Sequence, residues 1–280
     1  MNAFTRRLAA CLIAGLAVLV TSLPAAGAAP RLRTDLRQSP TAHVDTGGAP
    51  LLAYYGGRVL THVKVDVAGI LAKEFAGEHI SQIKMDRLLD LPNVAPPMNP
   101  STVYITVVDK DRNVCSFINS VAHAFGAAIV SNKTGILLQN RAGGFRIQLG
   151  HPNCIGPRKR PLHTIIPGLA TRNGRAQMSF GVMGGQYQPT GQTHVLTNIV
   201  DYGCDVQEAI DMPRGLHYEG VYQLEDGVPA DVVRGLQRLG HKTTSIVGPL
   251  GGGQAIWIDW KKGTLTGGSD PRKDGCALGY

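Results

Sequence analysis

Beyond residue 101 the chain falls into short runs in which apolar and polar positions alternate, separated by polar, glycine-rich turns. This spacing predicts strands over 102–109, 114–119, 126–131 and 135–139, with turns at Lys110-Asp111-Arg112-Asn113 and Asn132-Lys133-Thr134-Gly135. A further strand pair, 163–170 and 176–182, is expected around Asn173-Gly174. Helical spacing shows earlier, where Val67, Ile70, Leu71 and Phe75 recur at three- and four-residue intervals. There Gln82, Lys84, Asp86 and Arg87 mark a polar turn and a second short helix. Helices are also predicted near 191–201, from Asp205 through Ala209, and over 229–239. Asp205 suits an N-cap with Glu208 three residues on, and Gly240 suits a left-handed stop. The chain closes on a hairpin, Gln254 to Trp260 and Leu265 to Gly267, joined through Lys261-Lys262-Gly263. Strands, then helices, then strands describe an α+β fold with helices layered on an antiparallel sheet.

Residues 1–28 read differently. Arg6-Arg7, the apolar run from Leu8 to Leu23 and the small residues Ala26-Gly27-Ala28 form an export signal cut after Ala28. The apolar run is short and ends in a cleavage-like site, so no membrane anchor is expected, and the protein is placed in the periplasm or outside the cell. Residues 29–45 follow as a leader rich in Pro, Arg, Thr and Ser, and 91–101 as a loop with four prolines. Of five cysteines one lies in the signal; the other four are scattered and propose no disulfide pairing. The nine histidines show no metal spacing, so neither metal nor cofactor is expected. The net charge of +8 is spread along the chain without interleaved aromatics, which argues against a nucleic-acid partner.

Two places carry chemistry. Thr102 opens a strand just after the proline-rich loop. If the chain is cut between Ser101 and Thr102, the new α-amine lies beside the threonine hydroxyl and serves as its general base. Many strand threonines only fill a pleat. Gly184-Gly185 follows a strand and precedes a helix, where bare backbone N–H groups either form an oxyanion hole or serve a tight turn. The Asp270–Arg272 neighbourhood is read as structural.

Taken together, Thr102 to Asp109, Gly135 to Asn140, Pro157 to Leu162, Gly184-Gly185, Asp201 to Gly203, Gln207 to Ala209, Pro213-Arg214 and Gly267 to Gly275 stand in the order and spacing of one family. From about Val67 to Tyr280 the chain resembles the γ-glutamyltransferases, which are N-terminal nucleophile hydrolases. The resemblance implies an αββα sandwich and a proenzyme that splits itself before Thr102 into two fragments that stay associated. The domains are then 1–28, the signal; 29–101, the end of the large subunit; and 102–280, the small catalytic subunit. Thr102 matches the nucleophile, Ser120 the hydroxyl that orients it, and Gly184 and Gly185 the oxyanion hole. The implied donors are γ-glutamyl amides such as glutathione.

Several positions depart from that pattern. Gly144 stands where glutathione-using members carry an acid for the donor's amine, in the run Asn140-Arg141-Ala142-Gly143-Gly144-Phe145. His163 and Thr164 replace a serine pair that holds its carboxylate, and Ala122 replaces a polar side chain. Arg141, Gly144, His163 and Thr164 are the expected substrate-binding positions. Without the acid a γ-glutamyl head loses its amine partner, which favours a different small amide. Residues 29–101 supply only the end of a large subunit, so the sandwich is expected to be incomplete. A second chain then completes it, or the chain is a shortened, inactive relative.

Overall fold

The computed structural model describes residues 52–55, 58–61, 72–84, 86–88, 100–151 and 153–280. The expected signal, the leader and the proline-rich residues 91–99 lie outside them. In chain order the elements begin with the paired strands β1 (Leu52–Tyr55) and β2 (Arg58–Thr61), then helix α1 (Lys73–Gln82). The hairpin β3 (Pro100–Val108) and β4 (Val114–His123) comes next, followed by β5 (Gly168–Arg172) and β6 (Arg175–Met183). Helices α2 (Gln188–Val200) and α3 (Val206–Asp211) precede β7 (Gly215–Tyr218) and β8 (Val221–Leu224). The chain ends through α4 (Ala230–Arg238), β9 (Lys242–Ser245), β10 (Gly252–Asp259) and β11 (Thr264–Ser269).

The centre is an antiparallel sheet ordered β11-β10-β6-β5. Strand β6 shows why it is covered on both sides, because alternate residues point to opposite faces. Met178, Phe180 and Val182 join Val195 of α2 and Val206, Ala209 and Ile210 of α3 in one buried cluster. On the opposite face Met183 packs with Tyr104 and Ile118 of the β3–β4 hairpin. Burying each large apolar side chain contributes about 1.5–3 kcal/mol. The result is a layer of helices, a four-stranded sheet and a hairpin stacked on it, three layers of the expected sandwich.

The hairpin is joined to the sheet by hydroxyls as well as by apolar contact. Tyr104 Oη lies 2.7 Å from Ser116 Oγ and 3.1 Å from Ser179 Oγ, and Thr106 Oγ1 donates to Ser179 Oγ at 2.6 Å. Ser116 Oγ donates to the Gly168 carbonyl at 2.8 Å. The layers close tightly here: a Cβ at Gly181 would sit 2.5 Å from the Tyr104 ring, so only glycine fits. The outer face of the hairpin is apolar and open. Val103, Ile105 and Val107 are 55%, 52% and 50% exposed, and Phe117 opposes Ile105.

Several expectations are met closely. Asp205 caps α3 through its side chain, and Glu208 returns the bond in a full capping box. Asn173 and Gly174 take left-handed φ of 52° and 76° in the β5–β6 turn. Gly240 stands just past α4 at φ 98°.

Others need correction. Residues 126–131 and 135–139 are not strands; an isolated bridge between Val130 and Leu137 is what remains of that pair. Phe125, Gly126 and Ala128 take φ of 59°, 50° and 55°, which breaks the pleat and coils the segment into turns. Strand β5 begins at Gly168 rather than at 163. Residues 83–84 and 86–88 form bends and irregular chain rather than a second helix. The three-stranded unit β7-β8-β9 is additional, with β8 and β9 parallel and joined through α4.

Candidate active site

Thr102 is the third residue of β3, and the hairpin ladder is disturbed beside it. Ser101 pairs with Ala122 and Thr102 with Ser120, so Val121 is the extra residue of a bulge. A bulge twists the strand and re-aims its side chains. Here it falls on the peptide bond between Ser101 and Thr102. Ala122 pays for it with a left-handed φ of 75°.

The bulge gathers a compact polar group. Thr102 is buried, and its Oγ1 donates to Ser120 Oγ at 3.0 Å. The same Ser120 oxygen accepts the Ala122 amide at 3.0 Å and the Arg141 guanidinium at 2.7 Å. Arg141 opens a short 3-10 turn, Arg141–Gly144. Asn140 fastens that turn to β4: its amide donates to the Val121 carbonyl at 3.1 Å, and its Oδ1 accepts the His123 amide at 3.0 Å. Partial burial lowers the Arg141 pKa below that of an exposed guanidinium.

The other expected positions lie on separate segments. Gly184, at φ 135°, and Gly185, at φ 60°, follow Met183, which packs on the hairpin. A Cβ at Gly184 would lie 2.9 Å from Gly251 Cα, so glycine is required there. Gly144 uses its carbonyl to accept Asn153 Nδ2 at 2.8 Å, and a Cβ there would meet nothing within 4 Å. His163 keeps an exposed edge, yet the atoms around its ring desolvate it. That, followed by the charges of Arg141 and Arg160, holds its pKa below the ordinary imidazole value. Thr164 is half-buried beside it. Thus Thr102 and Arg141 meet on Ser120, and the Arg141 charge disfavours a protonated His163.

Sequence reading overlooked two contributors. Asn140 was matched only as part of a run; its place just before the turn, opposite His123, is what makes it an anchor. The Ala122 backbone gives no sequence signal, because its role lies in its N–H and its left-handed φ.

A second polar cluster closes the sheet behind the site. Arg214 is fully buried, and its Nη2 donates to Asp270 Oδ2 at 2.6 Å and to the Ile210 carbonyl at 2.9 Å. Asp270 Oδ2 also accepts the Gly253 amide at 2.6 Å. Glu225 accepts the Arg214 and Leu250 amides and pairs with Arg272 at 2.8 Å. Each charge has a partner, as burial demands. The cluster ties β10, α3 and the end of the chain together, in keeping with the structural reading of Asp270 and Arg272.

The described residues contain no group of three or more His, Cys, Asp or Glu placed to hold a metal, and no helix long and apolar enough to cross a membrane. Cys115, Cys154, Cys204 and Cys276 are free thiols.

A hairpin sheet stacked on a second sheet that carries helices is the layering of the N-terminal nucleophile hydrolase fold. Solved structures share this arrangement. A cephalosporin acylase from Bacillus halodurans superposes with a TM-score of 0.70 at 37% identity, covering 78% of this chain and 41% of that one. A γ-glutamyltranspeptidase from Pseudomonas nitroreducens gives 0.58 at 26% identity over 63% of this chain and 98% of that one. Within the class, residues 53–280 match the family model of gamma-glutamyltranspeptidase, and the chain belongs to that family. Among curated proteins it is 36% identical to the glutathione hydrolase-like YwrD proenzyme of Bacillus subtilis, over 75% of this chain and 41% of that protein. It is 35% identical to the oxamate amidohydrolase proenzyme of Klebsiella pneumoniae, over 64% of this chain and 35% of that protein. The chain thus spans about two fifths or less of these curated relatives.

Proposed function

We propose that the chain is an exported amide hydrolase or transferase that splits itself between Ser101 and Thr102 and then uses Thr102 as its nucleophile. The observation that carries this is the buried Thr102 hydroxyl, bonded to Ser120 at the residue where the ladder bulges. In the first reaction Thr102 Oγ1 attacks the Ser101 carbonyl carbon. The C–O bond forms, the C–N bond to Thr102 breaks, and the hydroxyl proton passes to the departing nitrogen. Water then hydrolyses the ester, leaving a Ser101 carboxylate and a Thr102 that carries both a hydroxyl and an α-amine. In turnover that amine takes the hydroxyl proton while Oγ1 attacks a donor amide. Gly184 and Gly185 offer N–H groups to the oxyanion. The amine product leaves, and water or an acceptor amine releases the acyl group. The proposed donors are γ-glutamyl amides such as glutathione, and the two fragments remain together. The exposed apolar face of the hairpin favours a covering layer from a further chain.

A second reading has a non-glutamyl amide as donor. It is favoured by Gly144 and His163, which stand where glutathione-using relatives are expected to carry an acid and a serine. No acid replaces the missing amine partner among the substrate-binding positions.

Intact mass spectrometry of the exported chain tests the first step, and two masses dividing at Ser101–Thr102 are expected. An uncleaved, folded chain would instead favour the inactive relative. A chromogenic γ-glutamyl anilide then separates the donors. If the second reading holds, the parent releases little dye. Gly144→Asp, which has open space for its carboxylate, raises the rate roughly 10-fold by giving the donor's ammonium a partner.

A further inference from the structure

We infer that Arg141 positions the nucleophile: by donating to Ser120 Oγ it biases the Thr102–Ser120 hydroxyl pair toward Thr102 without its proton. The inference rests on the reading of Thr102 as nucleophile and departs from the expectation that Arg141 binds substrate. Three donors converge on Ser120 Oγ: the Ala122 amide, the Arg141 guanidinium and the Thr102 hydroxyl. A hydroxyl oxygen has two lone pairs, so the three must share them. Passing the Thr102 proton to the departing nitrogen in self-cleavage, or to the α-amine in turnover, relieves that crowding. The Ser120 hydroxyl can then turn toward the Thr102 alkoxide while the guanidinium charge stands one bond further out. A cation placed so stabilises the negative charge as it develops. The Asn140 contacts to β4 hold the turn that delivers Arg141, so the charge is in place before any substrate arrives.

This separates the two roles of Arg141 cleanly. A substrate-binding residue acts only when a donor is present, whereas self-cleavage involves no donor. The experiment is a cell-free synthesis pulse of the full chain, followed over time by electrophoresis across a pH series. It compares the parent with Arg141→Met and Arg141→Lys. Arg141→Met is expected to cleave roughly 10- to 100-fold more slowly, the range for losing a hydrogen bond to a charged group. Its half-maximal rate moves to higher pH, and Arg141→Lys recovers part of both. The melting temperature of Arg141→Met in a Thr102→Ala background, compared with Thr102→Ala alone, shows that the fold is intact. A parent that cleaves while Arg141→Met keeps its rate and pH profile, with only the donor KM altered, overturns this inference alone. A parent that never cleaves overturns the nucleophile reading and this inference with it.

Discussion

Thr102→Ala is expected to remain one uncleaved chain and to lose donor hydrolysis by at least roughly 10⁴-fold, the scale on which removal of an acting nucleophile registers. The methyl group of alanine fits where Thr102 is buried, so the fold should survive; what disappears is the oxygen 3.0 Å from Ser120. Thr102→Ser keeps that oxygen but drops the methyl that limits its rotation, and should cleave more slowly and still completely. Mass spectrometry distinguishes the three proteins directly. If Thr102→Ala still splits at the same bond, another group performs the attack and the proposed chemistry fails. If the parent and Thr102→Ser both stay whole, the hairpin is a scaffold rather than a reaction centre.

Asp270→Ala should have the largest effect on stability. It strands Arg214, whose side chain is 0% exposed, without its carboxylate, and it leaves the Gly253 amide unpaired. Breaking a buried pair in this way costs about 3–5 kcal/mol, a large share of the roughly 5–15 kcal/mol that holds a domain together. Urea titration in the Thr102→Ala background keeps both proteins in the same covalent state. A midpoint within error of the parent's would mean that the cluster contributes little.

The pH dependence follows from the same cluster. Burial alone would raise the Asp270 carboxyl, but the charge of Arg214 and the N–H groups of Arg272 and Gly253 outweigh it and depress the value. A depressed carboxyl stabilises fully above its unfolded value near ~3.9, and that contribution is lost as pH falls through the lower native value. Burial, helped by the charge of Arg214, lowers His194 to about 4. Its contribution is complete above the unfolded value near ~6.5 and drains away as pH falls toward the native one. Asp270→Asn should therefore retain the decline in melting temperature that begins below neutral pH and lose the steeper fall in more acid solution.

Much of the fold was legible because local chemistry and tertiary position agree. Asp205 and Glu208 need only each other to start α3, and Asn173-Gly174 can adopt the left-handed turn wherever it lies. Residues 126–139 misled because Ile129, Val130, Ile136 and Leu138 look like strand residues, yet all four stand exposed in a coiled segment. Their path is set by left-handed residues at 125, 126 and 128, and φ is invisible in an alternation of side chains. Strand β9, Lys-Thr-Thr-Ser, has almost no apolar signal, and it exists because α4 returns the chain alongside β8. Motif order led to the expectation that Thr102 and Ser120 lie together, and they are bonded. The contact from Arg141 to Ser120 could not be read in this way, since it depends on a turn anchored across the hairpin by Asn140.

The hydroxyl seam between the hairpin and the sheet acts as a vernier between two rulers. Apolar surfaces can slide by fractions of an ångström at little cost, but Tyr104, Thr106, Ser116, Ser179 and the Gly168 carbonyl have discrete partners. Sliding one layer by a single residue, about 3.4 Å, would mismatch every one of these bonds together. The height of the Thr102 strand above the strand that leads into the glycine pair is therefore a stepped quantity with one permitted setting, and thermal drift between the layers has no shallow path to follow.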